Sequence, residues 1–554
     1  MEKVKIKLLG VSCGHRKGRN TAWLTLFALK AAEKFGRRIS DIAEIETEFI
    51  DLWGKKVPPK LNCELVNGKY INLSEKNYIT QELLPKMAEA DGVVFGCPTF
   101  TGSYTSSFIT LFEHLRAGMG NGDFLNKPAG TVTVATMMIG GQELCLGHMN
   151  MCIRSLGMIP VNWLDGAAGV SGLPYGPLGI QDDGTEIALK KDRYAQWEAI
   201  FTGRRVAEVA VIQKLAKRRL GRIHEEEFIK RMGLTRGKEK SEWTHLDEPE
   251  AKFMEGLGLE NLKSYDGTIV KPKSNNKLTC KIFGFSCDDQ SGRDTTWLIA
   301  NSLKAIEMFG RRIGPDYGFE TEFMDLADKS FRPCLNCDKR FEIPNGALQW
   351  RGPVCPDTKF GCVIKNDFFA KEVLPRLYEG DGFILGSSVC TLATSITFRK
   401  FHERVAGCIW HKGTSMKPIA NIAVGYGEDH GQETCLDIMN TCNRWVEFIP
   451  VGWPHGTAAQ GAPIISEDGR PAELLVKKDE RARLLSILNA RRVAEFALMV
   501  KIGKQELGDL HGKEFYQVIH PPHGEADWEW SRLDKEDQDL MLGLTPGTLA
   551  ELSS

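Results

Sequence analysis

The sequence lacks three features that would each have decided its class. No apolar run reaches the roughly 18 residues that a membrane-crossing helix needs. The formal net charge is only −1, so the charge balance gives no reason to expect a nucleic acid, a membrane surface or another polyanionic partner. The opening MEKVKIKLLG enters a strand at once, without the long apolar region and cleavage site of a secretory signal. A cytoplasmic location is the expectation. Cysteine is sparse by the standard of a disulfide scaffold, at 15 in 554 residues, although most cytosolic enzymes carry fewer. Metal or cluster ligation and burial as reduced thiols are the readings that remain. Apolar residues at 42% and charged residues at 26% are those of a globular protein, long enough for roughly two to four domains.

What the chain does have is a repeat. GVSCGHRKGRNTAWLTLFALKAAEKF, residues 10–35, returns as GFSCDDQSGRDTTWLIANSLKAIEMF, residues 284–309. Cys13 matches Cys287, an offset of 274, about half the chain. Each copy opens with a short apolar run, a polar loop and a stretch with apolar residues at helical spacing. In the first copy, strands are expected over residues 4–12, 48–53, 92–98, 130–137 and 158–164. Helices are expected over 22–35, about 78–88, 106–115 and 143–156. Short apolar strands alternating with helices indicate a parallel sheet covered on both faces, an α/β doubly wound domain. Ligands of such folds bind beyond the carboxyl ends of the strands.

The segment after the fifth strand is charged, yet it too repeats. GRRVAE at 203–208 returns as ARRVAE at 490–495, and Trp243 and Leu246 align with Trp530 and Leu533. A helical C-terminal extension is therefore expected in each copy, its basic run forming the solvated face of a helix. The domains are expected at 1–270 and 271–554, with a polar, patternless linker near 263–276. The second copy also carries an insertion of 16 residues between Cys337 and Glu372, since the offset grows from 274 at Asp51 and Asp325 to 290 at Pro85 and Pro375.

Three loops of the first copy converge on one sheet end. The first is 12–21, where Arg16, Lys17 and Arg19 add charge to backbone donors and Ser12, Gly18, Asn20 and Thr21 complete a phosphate-sized turn at a helix start. Such loops also occur without a ligand. The second follows the third strand, with Pro98, Thr99, Phe100, Thr101 and Gly102. The third is Met138, Gly140, Gly141 and Gln142, whose glycines let a backbone approach a flat ligand. Together they fit a flavin mononucleotide, phosphate on the first loop and ring against the other two.

SCGHRKGRNTAWL resembles the phosphate loop of the NADPH-dependent FMN reductase-like branch of the flavodoxin-like superfamily. CPTFTGSYTSSFITLFEHL is similar to that branch's Pro-x-(aromatic)-x-Gly-Ser loop, and GGQE with LGMIPV to its third flavin loop and fifth strand. The resemblance covers about 4–161 and 278–451 and implies two tandem flavodoxin-like domains forming an internal pseudo-dimer, with further homo-oligomerisation open. The second copy departs from it. Asp288 and Asp289 stand where the first copy has Gly14 and His15, and two carboxylates repel a phosphate. Ser388 and Leu392 replace Pro98 and Gly102.

The second copy alone carries Cys334, Cys337, Cys355 and Cys362 in one connection; the first has only Cys63 there. Clustered thiolates suit an iron–sulfur cluster or a structural zinc ion. The connection is similar to that of iron–sulfur flavoproteins in the same branch, which implies a [4Fe–4S] cluster with zinc as the alternative. Cys145 and Cys152, repeated as Cys435 and Cys442, read as core packing. The sequence thus predicts a flavin-dependent oxidoreductase passing electrons between a small donor, NAD(P)H among the candidates, and a small acceptor or redox partner protein. Its rivals are an NAD(P)H-dependent quinone or FMN reductase with a structural zinc, and a non-catalytic scaffold subunit of a redox complex.

Overall fold

The computed structural model describes residues 2–55, 63–66, 69–72, 77–120, 122–137, 140–162, 166–170, 186–224, 245–272, 277–289, 293–335, 364–406, 413–426, 431–461, 473–515 and 532–552. They form two compact units. The first comprises Met1–Arg219 together with Glu506–Ser554, and the second is Leu220–Gln505.

In the first unit the order is β1 (Val4–Ser12), α1 (Asn20–Arg38), β2 (Ala43–Asp51), a hairpin of β3 (Cys63–Val66) and β4 (Lys69–Asn72), α2 (Leu84–Glu89) and β5 (Gly92–Pro98). There follow α3 (Ser106–Gly120), β6 (Pro128–Ala135), α4 (Gln142–Ser155), β7 (Ile159–Pro160), β8 (Ala167–Val170) and α5 (Arg193–Leu220). The main sheet runs β2-β1-β5-β6-β7, all parallel, with β8 also on β6. Within the expected fifth strand, 158–164, the described strand is β7 alone, which pairs at the start of β6; β8, beyond those bounds, pairs at its end. Central β5 and β6 are buried almost throughout, whereas edge strand β2 alternates. Its charged residues, in AEIETEFID, keep the sheet edge from pairing further.

The second unit opens with α6 (Glu248–Gly256), α7 (Leu259–Tyr265) and β9 (Ile269–Val270), then β10 (Leu278–Ser286), α8 (Asp294–Arg312) and β11 (Tyr317–Asp325). It continues with α9 (Leu374–Glu379), β12 (Gly382–Cys390), β13 (Ala393–Thr394), α10 (Ile396–Val405), β14 (Pro418–Gly425), α11 (Gln432–Trp445), β15 (Ile449–Pro450), β16 (Thr457–Gln460) and α12 (Glu480–Leu507). Its sheet runs β15-β14-β12-β10-β11-β9, parallel except for β9. The segment read from sequence as a patternless linker thus supplies an antiparallel edge strand. Covered by β9, β11 is buried along nearly its whole length. Among the described residues no helix is long and apolar enough to cross a membrane.

The extensions are placed differently from a division at residue 270. Residues 245–270 lie with the second unit. The closing helices α13 (Asp509–Glu514), α14 (Lys535–Gly543) and α15 (Pro546–Leu552) lie with the first. In the first unit the buried Trp23 indole N–H donates to Met541 O at 2.9 Å. In the second, Trp297 donates to Met254 O at 3.1 Å. The ion pairs match as well. Arg37 holds Asp534 at 2.8 Å and also Asp537, while Arg311 holds Asp247 at 2.8 Å and also Glu250. Each extension makes the contacts that its sequence encodes, on the helix of the other copy. α1 and α8 present the same Trp and Arg to the two tails. Replacing Trp23 or Trp297 with Phe removes the indole donor and leaves space beside the smaller ring, although Met254 O keeps the Leu257 N–H at 3.2 Å. Each substitution should cost about 1–2 kcal/mol, read as a lowered midpoint in urea unfolding.

Candidate functional site

The first loop leaves β1 at Ser12 and enters α1 at Asn20. Cys13 N–H donates to Gly96 O at 2.7 Å, tying the loop to β5. Gly14 N–H reaches Ser12 Oγ at 3.4 Å, and Gly18 N–H reaches Asp51 Oδ2 at 3.3 Å. Gly18 sits at φ +60, in the left-handed region that a side chain disfavours. Burial raises the Asp51 carboxyl above its ordinary range, with the Trp53 and Gly18 amides and the Ser12 hydroxyl acting against the shift. Helix α1 starts without a side-chain cap and with no acidic residue in its first turn, so its end carries uncancelled positive potential. Arg19 Nη1 and Asn20 Nδ2 are buried without a hydrogen-bond partner. Arg16 and Lys17 are exposed at the mouth, and Thr21 is buried behind it.

The second loop is a tight turn. Phe100 N–H donates to Ser103 O at 2.7 Å and Ser103 N–H returns to Phe100 O at 3.0 Å, with Thr101 and Gly102 both at positive φ. Thr99 anchors it through its N–H to Val134 O at 2.9 Å and its hydroxyl to Thr133 at 2.8 Å. Ser103 Oγ lies 3.2 Å from His148 Nδ1 on α4. Phe100 is 62% exposed, and its ring centroid is 5.5 Å from that of His15 in the first loop.

In the third loop the Gln142 side chain bridges the backbone, accepting from Gly140 N–H and donating to Met137 O, both at 2.7 Å. Gly141 caps α4 at φ +85, and a Cβ there would lie 2.6 Å from Gly102 Cα. The second and third loops therefore touch through bare backbone. Of the expected flavin residues, Pro98, Thr99, Phe100, Thr101, Gly102, Gly140, Gly141 and Gln142 gather at this end with the first loop, while Met138 lies outside the described residues. Donors without partners at a helix start, an open mouth and a glycine-on-glycine contact fit a phosphate and a flat ring. The Ser103–His148 bond and the Asp51 support were not foreseen, because residues 45 and 33 positions apart meet only through sheet order.

The second unit's equivalent is altered. Asp288 is buried, its Oδ1 accepting the Asp289 N–H at 2.8 Å. Burial raises its carboxyl, with the Ser388 hydroxyl opposing. Arg293 donates to Tyr426 Oη at 3.1 Å. Leu392 takes the position of Gly102 at φ +62 and lies against Gly431.

Of the four clustered cysteines, Cys334 is half-buried, its N–H donating to Glu403 Oε2 at 3.2 Å; Cys337, Cys355 and Cys362 lie outside the described residues. Buried Arg404 joins the two flanks of that connection. It donates to Arg332 O at 3.0 Å, to Ile364 O at 3.2 Å and to Asp367 Oδ2 at 2.6 Å. The first copy has His114 and Asn77 at the positions of Arg404 and Asp367.

The model of the NADPH-dependent FMN reductase family matches residues 6–168. An iron–sulfur flavoprotein of Methanocaldococcus jannaschii is 29% identical over 211 residues, 38% of this chain and all of that protein. An iron–sulfur flavoprotein of Archaeoglobus fulgidus is 30% identical over 213 residues, 38% of this chain and 98% of that protein. An NAD(P)H dehydrogenase (quinone) of a Chelativorans species is 26% identical over 163 residues, 28% of this chain and 79% of that protein. With the doubly wound sheet and its three loops, these likenesses define an FMN-dependent oxidoreductase. The chain belongs to the iron–sulfur flavoprotein family.

Burial opposes ionisation of Asp367, but the Arg404 guanidinium and the Ala370 and Arg332 amides outweigh it and hold the carboxyl below its usual range. A depressed folded-state value means stability that is present above the unfolded value, about 3.9, and lost as pH falls through the folded one. Arg404→Leu should remove that acid-limb stability and strand the carboxylate. The expected loss at pH 7 is toward the lower end of the roughly 3–5 kcal/mol for a broken buried pair, since Asp367 is only partly buried. Urea unfolding from pH 7 to 3 tests both statements.

Proposed function

We propose that the chain carries electrons between a reduced small-molecule donor of the NAD(P)H type and an acceptor, through one FMN held in the first unit and an iron–sulfur cluster held by Cys334, Cys337, Cys355 and Cys362 in the second. The observation that carries the flavin assignment is the difference between the two phosphate loops. In the first unit the buried Arg19 and Asn20 nitrogens have no partner. In the second, Arg293 Nη2 is likewise buried without a partner, but Asp294 stands in the place of Asn20 and the buried Asp288 carboxylate in the place of Gly14. Arg16, Lys17 and the α1 amides would hold the phosphate, with the Phe100–Ser103 turn and Gly140–Gln142 against the ring. The flavin supplies two-electron chemistry and the exchange of single electrons. The protein orients it and limits water at one face.

The cluster assignment rests on the four-cysteine connection, on the Arg404 clamp that brings its flanks together, and on the names of the family's members. The quinone dehydrogenase relative supports a second reading, in which a quinone is the acceptor and the cysteines hold zinc. A small redox molecule or a redox protein would serve as the acceptor in the first reading.

Flavin released from denatured protein should approach one FMN per chain. Arg16→Ala with Lys17→Ala should weaken FMN binding about tenfold or more, from the loss of two charge-assisted contacts. Anaerobically purified protein should show flavin bands and a broad shoulder that bleaches on reduction, with iron matched by acid-labile sulfide. Zinc with flavin bands alone would favour the quinone reductase. A colourless protein would leave only the scaffold reading, and full FMN retention by the double variant would overturn the phosphate assignment.

A further inference from the structure

We propose that helix α15 clamps the phosphate loop of the first unit, with Pro546 and Ala550 as positioning residues. Retention of the flavin phosphate would then depend on a segment that follows the whole second unit in the chain. The proposal rests on the FMN reading and adds to it which residues hold the phosphate loop in its binding form.

Gly18 is the tightest point of the loop, and it is held from two sides. On one side its N–H reaches the buried Asp51 carboxylate at 3.3 Å. On the other, a Cβ on Gly18 would lie 2.4 Å from Pro546 O and 2.8 Å from Ala550 N. The backbone of α15 therefore lies directly on the turn that connects Arg16 and Lys17 to Arg19. A glycine at φ +60 has many other conformations open to it when uncovered, so contact on both faces is what fixes it.

The clamp has its own anchor. Thr548 N–H donates to Thr545 Oγ1 at 3.2 Å and Leu549 N–H to Thr545 O at 2.9 Å. Leu549 is fully buried. The preceding helix α14 is tied to α1 through the Trp23–Met541 bond and the Arg37 ion pairs. The same helix α1 thus carries the loop at its start and the clamp's anchor along its length.

Trp530 and Trp243 set an offset of 287, which puts Lys263 at the position of Ala550. The tails thus differ in sequence at the position whose backbone lies on Gly18 in the first unit.

A fixed loop meets the phosphate with its amides already aimed, so loss of the clamp is a loss of preorganisation. The discriminating probe is a pair of ligands, FMN and riboflavin, which share the ring and differ in the phosphate. Two variants of the full protein are compared with wild type, Ala550→Leu and a chain ended after Leu544. Titration of flavin fluorescence gives both affinities, and far-UV circular dichroism reports the fold. Each variant should bind FMN about tenfold or more weakly with riboflavin affinity unchanged, so that the preference for FMN collapses. If the shortened chain loses its fold, Ala550→Leu carries the same readout. Unchanged FMN affinity, or an equal loss for both ligands, would overturn the clamp. Wild-type protein with no preference for FMN would overturn the phosphate assignment beneath it, and the clamp with it.

Discussion

The candidate site depends on one close approach of backbone to backbone. Gly141 lies so near Gly102 that a methyl group on it would sit 2.6 Å from the other's Cα. That contact brings together the loops that follow the paired strands β5 and β6, with Gly141 in the left-handed conformation ahead of α4. It also leaves the Phe100–Ser103 turn standing at the rim. In the second unit Leu392 occupies the place of Gly102 and packs on Gly431. A largely exposed side chain thus stands at the rim where the first unit has two glycines. The difference between the copies is a matter of occupied space and of charge, with one sheet topology beneath both.

Much of the fold was legible because the strands are buried on both faces and carry unbroken apolar runs. The bounds expected for β1 and β5 match those observed, Val4–Ser12 and Gly92–Pro98. β2 begins earlier than expected, since an edge strand with alternating Glu residues has no apolar run to mark its start. The additional strand β8 was hidden because, like β7, it pairs with β6, which a linear reading cannot see. The short β9 was hidden too: Ile269–Val270 gains its strand character from β11 alone.

The placement of the extensions was not legible for a different reason. Their repeat was plain, as was their affinity for a helix bearing Trp and Arg. Since α1 and α8 offer the same partners, the sequence specifies a lock and a key without saying which key turns in which lock. The three loops at the sheet end, by contrast, could be marked by composition, because clustered glycines and arginine at a helix start stand out in the sequence. Asp51, His148 and Arg404 could not. Each acts through a neighbour distant in sequence, and a lone Asp, His or Arg carries no local signature.

The division of the first unit into Met1–Arg219 and Glu506–Ser554 bears on how the protein comes into being. Chains emerge from the ribosome in sequence order, and domains generally fold as they emerge. The second unit, an uninterrupted stretch, can be assembled as soon as it is made. The first unit begins earliest and is completed last, held open through the synthesis of the other. Loss of residues 506–554 would therefore damage the unit whose other part precedes the second unit in the chain.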